Sequence, residues 1–163
     1  MDLLSADDWQ RLREVRLQAL KSDPEAFGGN FEKESQLSEN EWRKRFDKED
    51  YLVVSLDERD VGMLYIEVLD GDHGATCWIG GCWTNPDVRG RGAMRAMLDF
   101  IDRNSIAKEW TRQGLGVWDE NKSAISAYLS LGFEYAGELI PSSANPNKYF
   151  RHMVRDSRHK SCS

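Results

Sequence analysis

Two segments of the chain repeat apolar residues at i, i+3, i+4 and i+7: Met94, Met97, Leu98 and Ile101, then Ala124, Ala127, Tyr128 and Leu131. That spacing lays each set along one helical face. A strand-like run precedes each helix, Ala75 to Thr84 before the first and Gln113 to Trp118 before the second. Strands that alternate with one-faced helices bury both only when the strands join one sheet and the helices cover it. Gly132 follows the second helix at the place of a left-handed C-cap residue.

The flanking segments fit the same plan. Ser5 followed by Asp7 and Asp8 gives an N-cap with acidic residues in the first turn, and Trp9, Leu12, Ala19 and Leu20 make an amphipathic helix that stops before Pro24. Ser38-Glu39-Asn40-Glu41 matches a capping box and starts a second helix bearing Trp42 and Phe46. Ala26 to Asn30 between them reads as a flexible loop with one anchoring aromatic. Tyr51 to Leu56 and Val61 to Val68 are rich in β-branched and aromatic residues, and Asp57 to Asp60 forms a polar hairpin connection. Leu69 to Gly74 makes the next turn, and Phe133 to Ile140 and Lys148 to Arg155 close the chain as strands around a Pro/Ser/Asn loop. The order is ααβββαβαββ, a mixed sheet with helices on its faces.

Composition narrows the function classes. At 163 residues the chain fits one domain, which needs neither disulfides nor a structural metal to fold. Its formal charge of -6 argues against a nucleic-acid binder, because neutralising phosphates requires a basic face. No apolar run is long enough to span a membrane, and Met1 to Asp8 carries three aspartates, so we expect a cytoplasmic protein. Cys77, Cys82 and Cys162 read as free thiols, and the spacing of His73, His152 and His159 suggests no metal site. The tail from Asp156 to Ser163 is polar and expected to fray.

The segment from Thr84 to Met94, Thr-Asn-Pro-Asp-Val-Arg-Gly-Arg-Gly-Ala-Met, joins a strand to a helix through a glycine-bearing loop. Its amides would converge where the helix dipole is positive, a geometry that binds anions. Gly90 and Gly92 remove the Cβ atoms that would block a phosphate, while Arg89, Arg91 and Arg95 add charge. The loop lacks the Gly-Lys-Ser/Thr ending of a Walker sequence and is not a Gly-x-Gly-x-x-Gly fingerprint. A plain glycine turn beside solvated arginines is the simpler alternative.

Arg89-Gly90-Arg91-Gly92-Ala93-Met94 resembles the Arg/Gln-x-x-Gly-x-Gly/Ala signature of the GCN5-related N-acetyltransferases, the GNAT superfamily, with Met94 in place of the final Gly or Ala. Asn121-x-x-Ala124-x-x-x-Tyr128-x-x-x-Gly132-Phe133 is similar to the family's second signature. Trp9, Leu12, Arg16, Leu17, Ala19, Leu20, Pro24, Ala26, Phe27 and Gly28 resemble the start of many bacterial members. The resemblance implies one acetyltransferase domain over residues 1–155 with a tail at 156–163. It also implies a mixed, mostly antiparallel sheet of about six to seven strands with helices on both faces.

By the same resemblance acetyl-CoA is the cosubstrate, and the acceptor is an amine of a small molecule or protein. Gly90 to Met94 and the flanking arginines would hold the pyrophosphate. Backbone groups of Cys82, Trp83 and Thr84 would bond the pantetheine arm, Asn121 would contact CoA, and Tyr128 would protonate the departing thiolate. The side chains of Cys82 and Trp83 read as strand packing, and Asn121 reads equally as the N-cap of the Ala124 helix. Homodimers are common in this family. No base stands out: Glu67, Asp119, Glu32 and Glu34 are candidates that read first as solvated charges. A Cys–His nucleophile is a minor reading. A domain that binds CoA without turnover, as a sensor or scaffold, is the rival from a different class.

Overall fold

The computed structural model describes residues 1–24 and 29–158. Ala26, Phe27, Gly28, His159, Cys162 and the last part of the expected tail lie outside the described residues. The strands are β1 (Asp2–Leu3), β2 (Asp50–Leu56), β3 (Arg59–Val68), β4 (Cys77–Thr84), β5 (Arg112–Trp118), β6 (Glu134–Pro141) and β7 (Tyr149–Asp156). The α-helices are α1 (Trp9–Ser22), α2 (Phe31–Ser35), α3 (Glu39–Lys44), α4 (Ala93–Lys108) and α5 (Lys122–Ser130). The strands form a seven-stranded sheet ordered β1-β2-β3-β4-β5-β7-β6. The β4–β5 pair is parallel, whereas β1–β2, β2–β3, β5–β7 and β6–β7 are antiparallel. The mixed, mostly antiparallel sheet expected from the sequence is therefore observed.

Two compact units are distinguished, one of residues 1–67 and 81–100, the other of residues 68–80 and 101–158 among those described. In the first, Leu12, Val15 and Ala19 of α1 pack with Trp42, Tyr51, Val53, Met63 and Trp83 in one apolar cluster. The spacing of Leu12, Val15 and Ala19 is that of one helical face, which is why α1 forms despite its many charges. Asp57 and Glu58 both have positive φ, so the β2–β3 hairpin is the two-residue turn whose twist matches its strands, shorter than the connection expected. Ser38 caps α3 through its Oγ, which accepts the Glu41 amide at 3.2 Å. Its hydroxyl in turn donates to Glu41 Oε1 at 3.3 Å, in place of the carboxylate-to-amide half of the box.

In the second unit, Ile101, Trp110, Leu115, Ile125, Phe133 and Met153 are buried. Gly114 sits where any Cβ would overlap the Trp78 ring, so the strand requires glycine for packing. Gly132 has a φ of 99°, and its amide reaches Leu129 O at 3.2 Å, the helix stop read from the sequence. Arg155 is 5 % exposed and makes four hydrogen bonds: two go to the Asp102 carboxylate at 2.8 and 2.7 Å, one to Gln113 Oε1 at 2.9 Å and one to Leu131 O at 3.1 Å.

Several local expectations change. Ser5 caps a short 3-10 turn, Ala6–Asp8, that leads into α1. Two elements were not anticipated, β1 and the five-residue α2, whose N-cap Asn30 accepts the Lys33 amide at 3.1 Å. Strand β7 runs through Asp156, and Ser157 and Arg158 are tied down by bonds from their amides to Thr111 O at 2.8 Å and Asp102 Oδ1 at 3.1 Å. Among the described residues, no helix is long and apolar enough to cross a membrane.

Candidate functional site

The loop between β4 and α4 is built from its own sequence. Asn85 is buried; its amide donates to Val61 O at 2.7 Å, and its side-chain oxygen accepts the Asp87 amide at 3.0 Å. Pro86 then starts a single 3-10 turn, closed by Val88 N donating to Asn85 O at 3.0 Å. Beyond it, Gly90 and Gly92 both have φ of 83°, a left-handed conformation that side chains disfavour. A Cβ at either glycine would meet nothing within 4 Å. Each glycine thus faces open space, which leaves room beside it for a bulky anion such as the pyrophosphate of CoA. Gly92 O accepts the Ala96 amide at 2.9 Å, which makes Gly92 the residue from which α4 springs.

Arg89 reaches Thr84 O at 3.4 Å and pairs loosely with Asp23 at 3.5 Å, while Arg91 and Arg95 are exposed. Ala93 and Met94 form the first turn of α4, and Met94 is half-buried. The helix start therefore accommodates the methionine side chain that departs from the usual motif.

Within β4, Gly81 has a φ of 61°, a break in extended geometry that turns the strand just before Cys82, Trp83 and Thr84. Trp83 is 4 % exposed and donates its indole N–H to Ser22 Oγ at 2.8 Å, so its side chain packs as expected. Cys82 and Thr84 are half-buried. These residues and the phosphate loop belong to the first unit, whereas Asn121 and Tyr128 belong to the second. Asn121 caps α5 by accepting the Ala124 amide at 3.2 Å. Tyr128, on α5, is half-buried and stands edge-on to Phe133 at 5.6 Å between ring centres.

The carboxylate candidates resolve differently. Asp119 is bound by Arg151 at 2.6 Å, and that hydrogen bond, reinforced by Lys122, holds it below the usual carboxylate range. Glu67 is half-buried on β3, and Glu32 is exposed. Glu34 is no solvated charge: it is 7 % exposed, and its carboxylate receives Arg16 at 3.1 and 3.3 Å and Arg45 at 2.8 Å. Burial pushes Glu34 up, but hydrogen bonds and charge from Arg16 and then Arg45 outweigh it and leave it below its ordinary value of 4.5. Its stabilising contribution is then complete above that value and is lost as pH falls through the lowered one. Glu34→Gln should lower stability at pH 7, with a gap from wild type that shrinks below pH about 4. Urea unfolding at both pH values checks this, and a pH-independent gap would refute the assignment.

Cys77 offers no nucleophile. Its thiol donates to Arg112 O at 3.6 Å, and burial pushes it up to about 12. The His73 ring instead contacts His152, with Nε2 and Nδ1 3.3 Å apart.

One feature escaped the sequence reading. Arg16, Arg45, Glu49, Tyr51 and Tyr65 line a cavity of about 240 Å³ in the first unit. Tyr65 Cδ1 and Arg16 Nη1 lie 3.0 and 3.4 Å from where a Cβ on Gly81 would stand, so the cavity borders the bend in β4. Tyr51, almost wholly buried, donates its hydroxyl to Glu49 Oε2. Burial first and the Glu49 bond second raise the Tyr51 phenol, which keeps it a neutral donor; burial also raises Tyr65. The available signal was Gly81 itself, a glycine inside a strand.

The sequence pattern of the acetyltransferase (GNAT) family matches residues 12–133. Among solved structures, yncA from Salmonella typhimurium with its cofactor acetyl-CoA superposes with a TM-score of 0.71 at 13% identity, covering 99% of this chain and 95% of that one. The ribosomal-protein-S18-alanine N-acetyltransferase from Escherichia coli gives 0.65 at 17% identity, with 99% and 96% covered. Spermidine N-acetyltransferase from Vibrio cholerae, bound to CoA and spermine, gives 0.68 at 15% identity, with 96% and 94% covered. At these identities the likeness establishes the shared fold.

Proposed function

The chain belongs to the acetyltransferase (GNAT) family, and from that premise we propose that it moves an acetyl group from acetyl-CoA to a primary amine of a small molecule or protein by direct attack. The observation that carries this reading is the pair of left-handed glycines, Gly90 and Gly92, at the start of α4, where an added Cβ would stand in open space. Acetyl-CoA supplies an activated thioester. The amides of Gly90 to Met94 bind its pyrophosphate at the positive end of α4, and Arg89, Arg91 and Arg95 add charge around them. The backbone of Cys82, Trp83 and Thr84 orients the thioester arm. One amide there donates to the carbonyl oxygen, and a preorganised donor of this kind contributes roughly 3 to 4 kcal/mol of barrier lowering.

Tyr128 carries the proton that the departing sulfur needs. A phenol near pKa 10 and a thiol near 8.5 are close enough for a hydrogen bond to pass it across. Asn121, with its oxygen committed to the helix cap, keeps its NH2 group for the cofactor. The amine nitrogen attacks only once it has lost a proton, so the rate should climb with pH toward the pKa of the acceptor.

Thiol release from acetyl-CoA across a panel of amines, with mass analysis of the product, tests the proposal. Acetylated amine is expected. Binding without thiol release for any amine would favour the sensor reading. Tyr128→Phe should lower kcat by roughly a hundredfold while acetyl-CoA affinity is retained. An unaltered kcat would remove Tyr128 from the mechanism.

A further inference from the structure

The cavity beside Gly81 carries charges of both signs, and their arrangement bears on what it accepts. Arg16 and Arg45 both bond the carboxylate of Glu34, which gathers two guanidiniums on the cavity lining. Glu49 supplies a negative charge to the same lining. Arg45 and Glu49 lie one backbone turn apart, since Glu49 N donates to Arg45 O at 3.1 Å.

Both poles keep binding capacity. Arg45 commits only Nη2 to Glu34, and its guanidinium lies over the Trp42 ring at 4.4 Å, which fixes its plane. Its Nε and Nη1 have no hydrogen-bond partner among the described residues. A guanidinium held flat with N–H groups to spare matches the two oxygens of a carboxylate. Glu49 receives Tyr51 on Oε2, while Oε1 has no partner among the described residues and can accept an ammonium N–H.

Resting on the acetyltransferase reading, we propose that this cavity seats an acceptor that is both amine and carboxylate, a free α-amino acid, with its nitrogen on Glu49 and its carboxylate on Arg45. Size agrees, because about 240 Å³ falls below the roughly 300 to 1,000 Å³ that encloses drug-sized ligands. Charge discriminates. A polyamine would bring several positive charges against Arg16 and Arg45, whereas a zwitterion offers a carboxylate to Arg45 and an ammonium to Glu49. In the transfer the ammonium gives one proton to solvent, the nitrogen bonds the acetyl carbon as the carbon–sulfur bond breaks, and the second proton the nitrogen sheds balances the one the thiolate takes up, so the net products are N-acetyl amino acid, CoA and one released proton.

The test compares matched pairs: phenylalanine with phenethylamine, leucine with isoamylamine, lysine with cadaverine, and spermidine alone. The amino acid should exceed its decarboxylated partner by about ten- to a hundredfold in kcat/KM, the discrimination of one charge-assisted contact. Arg45→Gln should bring that ratio toward one by raising KM for the amino acid, and Arg45→Lys should restore it only in part. Circular dichroism first establishes that both variants are folded. Saturation-transfer NMR with the same compounds and no acetyl-CoA gives a second readout, in which amino acids bind and their decarboxylated partners do not. Equal or better transfer to amines lacking a carboxylate would overturn the substrate class while leaving the acetyltransferase intact. Should no amine be acetylated, the NMR arm still decides: absence of amino-acid binding overturns the proposal, and its presence upholds the pocket.

Discussion

Gly92→Val should weaken acetyl-CoA binding by about a hundredfold to ten-thousandfold while leaving the protein folded. The valine would not collide with the rest of the chain, since the added Cβ has open space around it. The strain lies in the backbone: at φ of 83° a β-branched residue is disfavoured by about 1 to 2 kcal/mol or more. An exposed loop relieves this by rotating its peptides, and rotation re-aims the amides that open α4. Losing two amide-to-phosphate bonds at about 1.5 to 3 kcal/mol each accounts for the predicted range. Isothermal titration measures the affinity, and a thermal scan shows whether the fold persists. A folded variant with wild-type affinity would remove the loop from cofactor binding.

The largest stability effect is expected at Asp102. Asp102→Ala strips the nearly buried Arg155 guanidinium of its counter-charge and of two hydrogen bonds, and it also frees the Arg158 amide. Gln113 Oε1 and Leu131 O remain, but neither carries charge. Leaving one partner of a buried pair alone destabilises by about 3 to 5 kcal/mol. For a chain of this length that corresponds to a fall in Tm of roughly 6 to 20 °C. Removing both charges together, as Asp102→Leu with Arg155→Met, should recover part of the loss, because no ion is stranded although Gln113 Oε1 and Leu131 O lose their donor. A single-variant loss under about 1 kcal/mol would mean that water reaches Arg155 and solvates it.

Local rules carried the sequence reading far where the cause is local. The face of α4, the stop at Gly132 and the glycine bend follow from spacing and from backbone preference, which act over a few residues, whereas α5 buries Ile125 rather than the Ala127 that the spacing put on its face. What the sequence hid is assembled from afar. Glu34 finds Arg16 eighteen residues before it and Arg45 eleven after it, so nothing nearby marks it as buried. The cavity draws Arg16 from α1, Arg45 and Glu49 from the turn after α3, Tyr51 from β2 and Tyr65 from β3. No motif spans such a set. Strand β1 is two residues long, too short for a period to show, and it exists because Asp2 and Leu3 pair with Val53 and Leu52.

The bend after β4 is held by the protein's own bonds, from Asn85 to Val61 and from Ala96 to Gly92. A rigid grip on the diphosphate makes no distinction between a charged carrier and a spent one, since that portion is common to both. In the proposed reading, free CoA therefore competes with acetyl-CoA for the same seat. The velocity in a cell then follows the ratio of the two pools rather than the abundance of either alone.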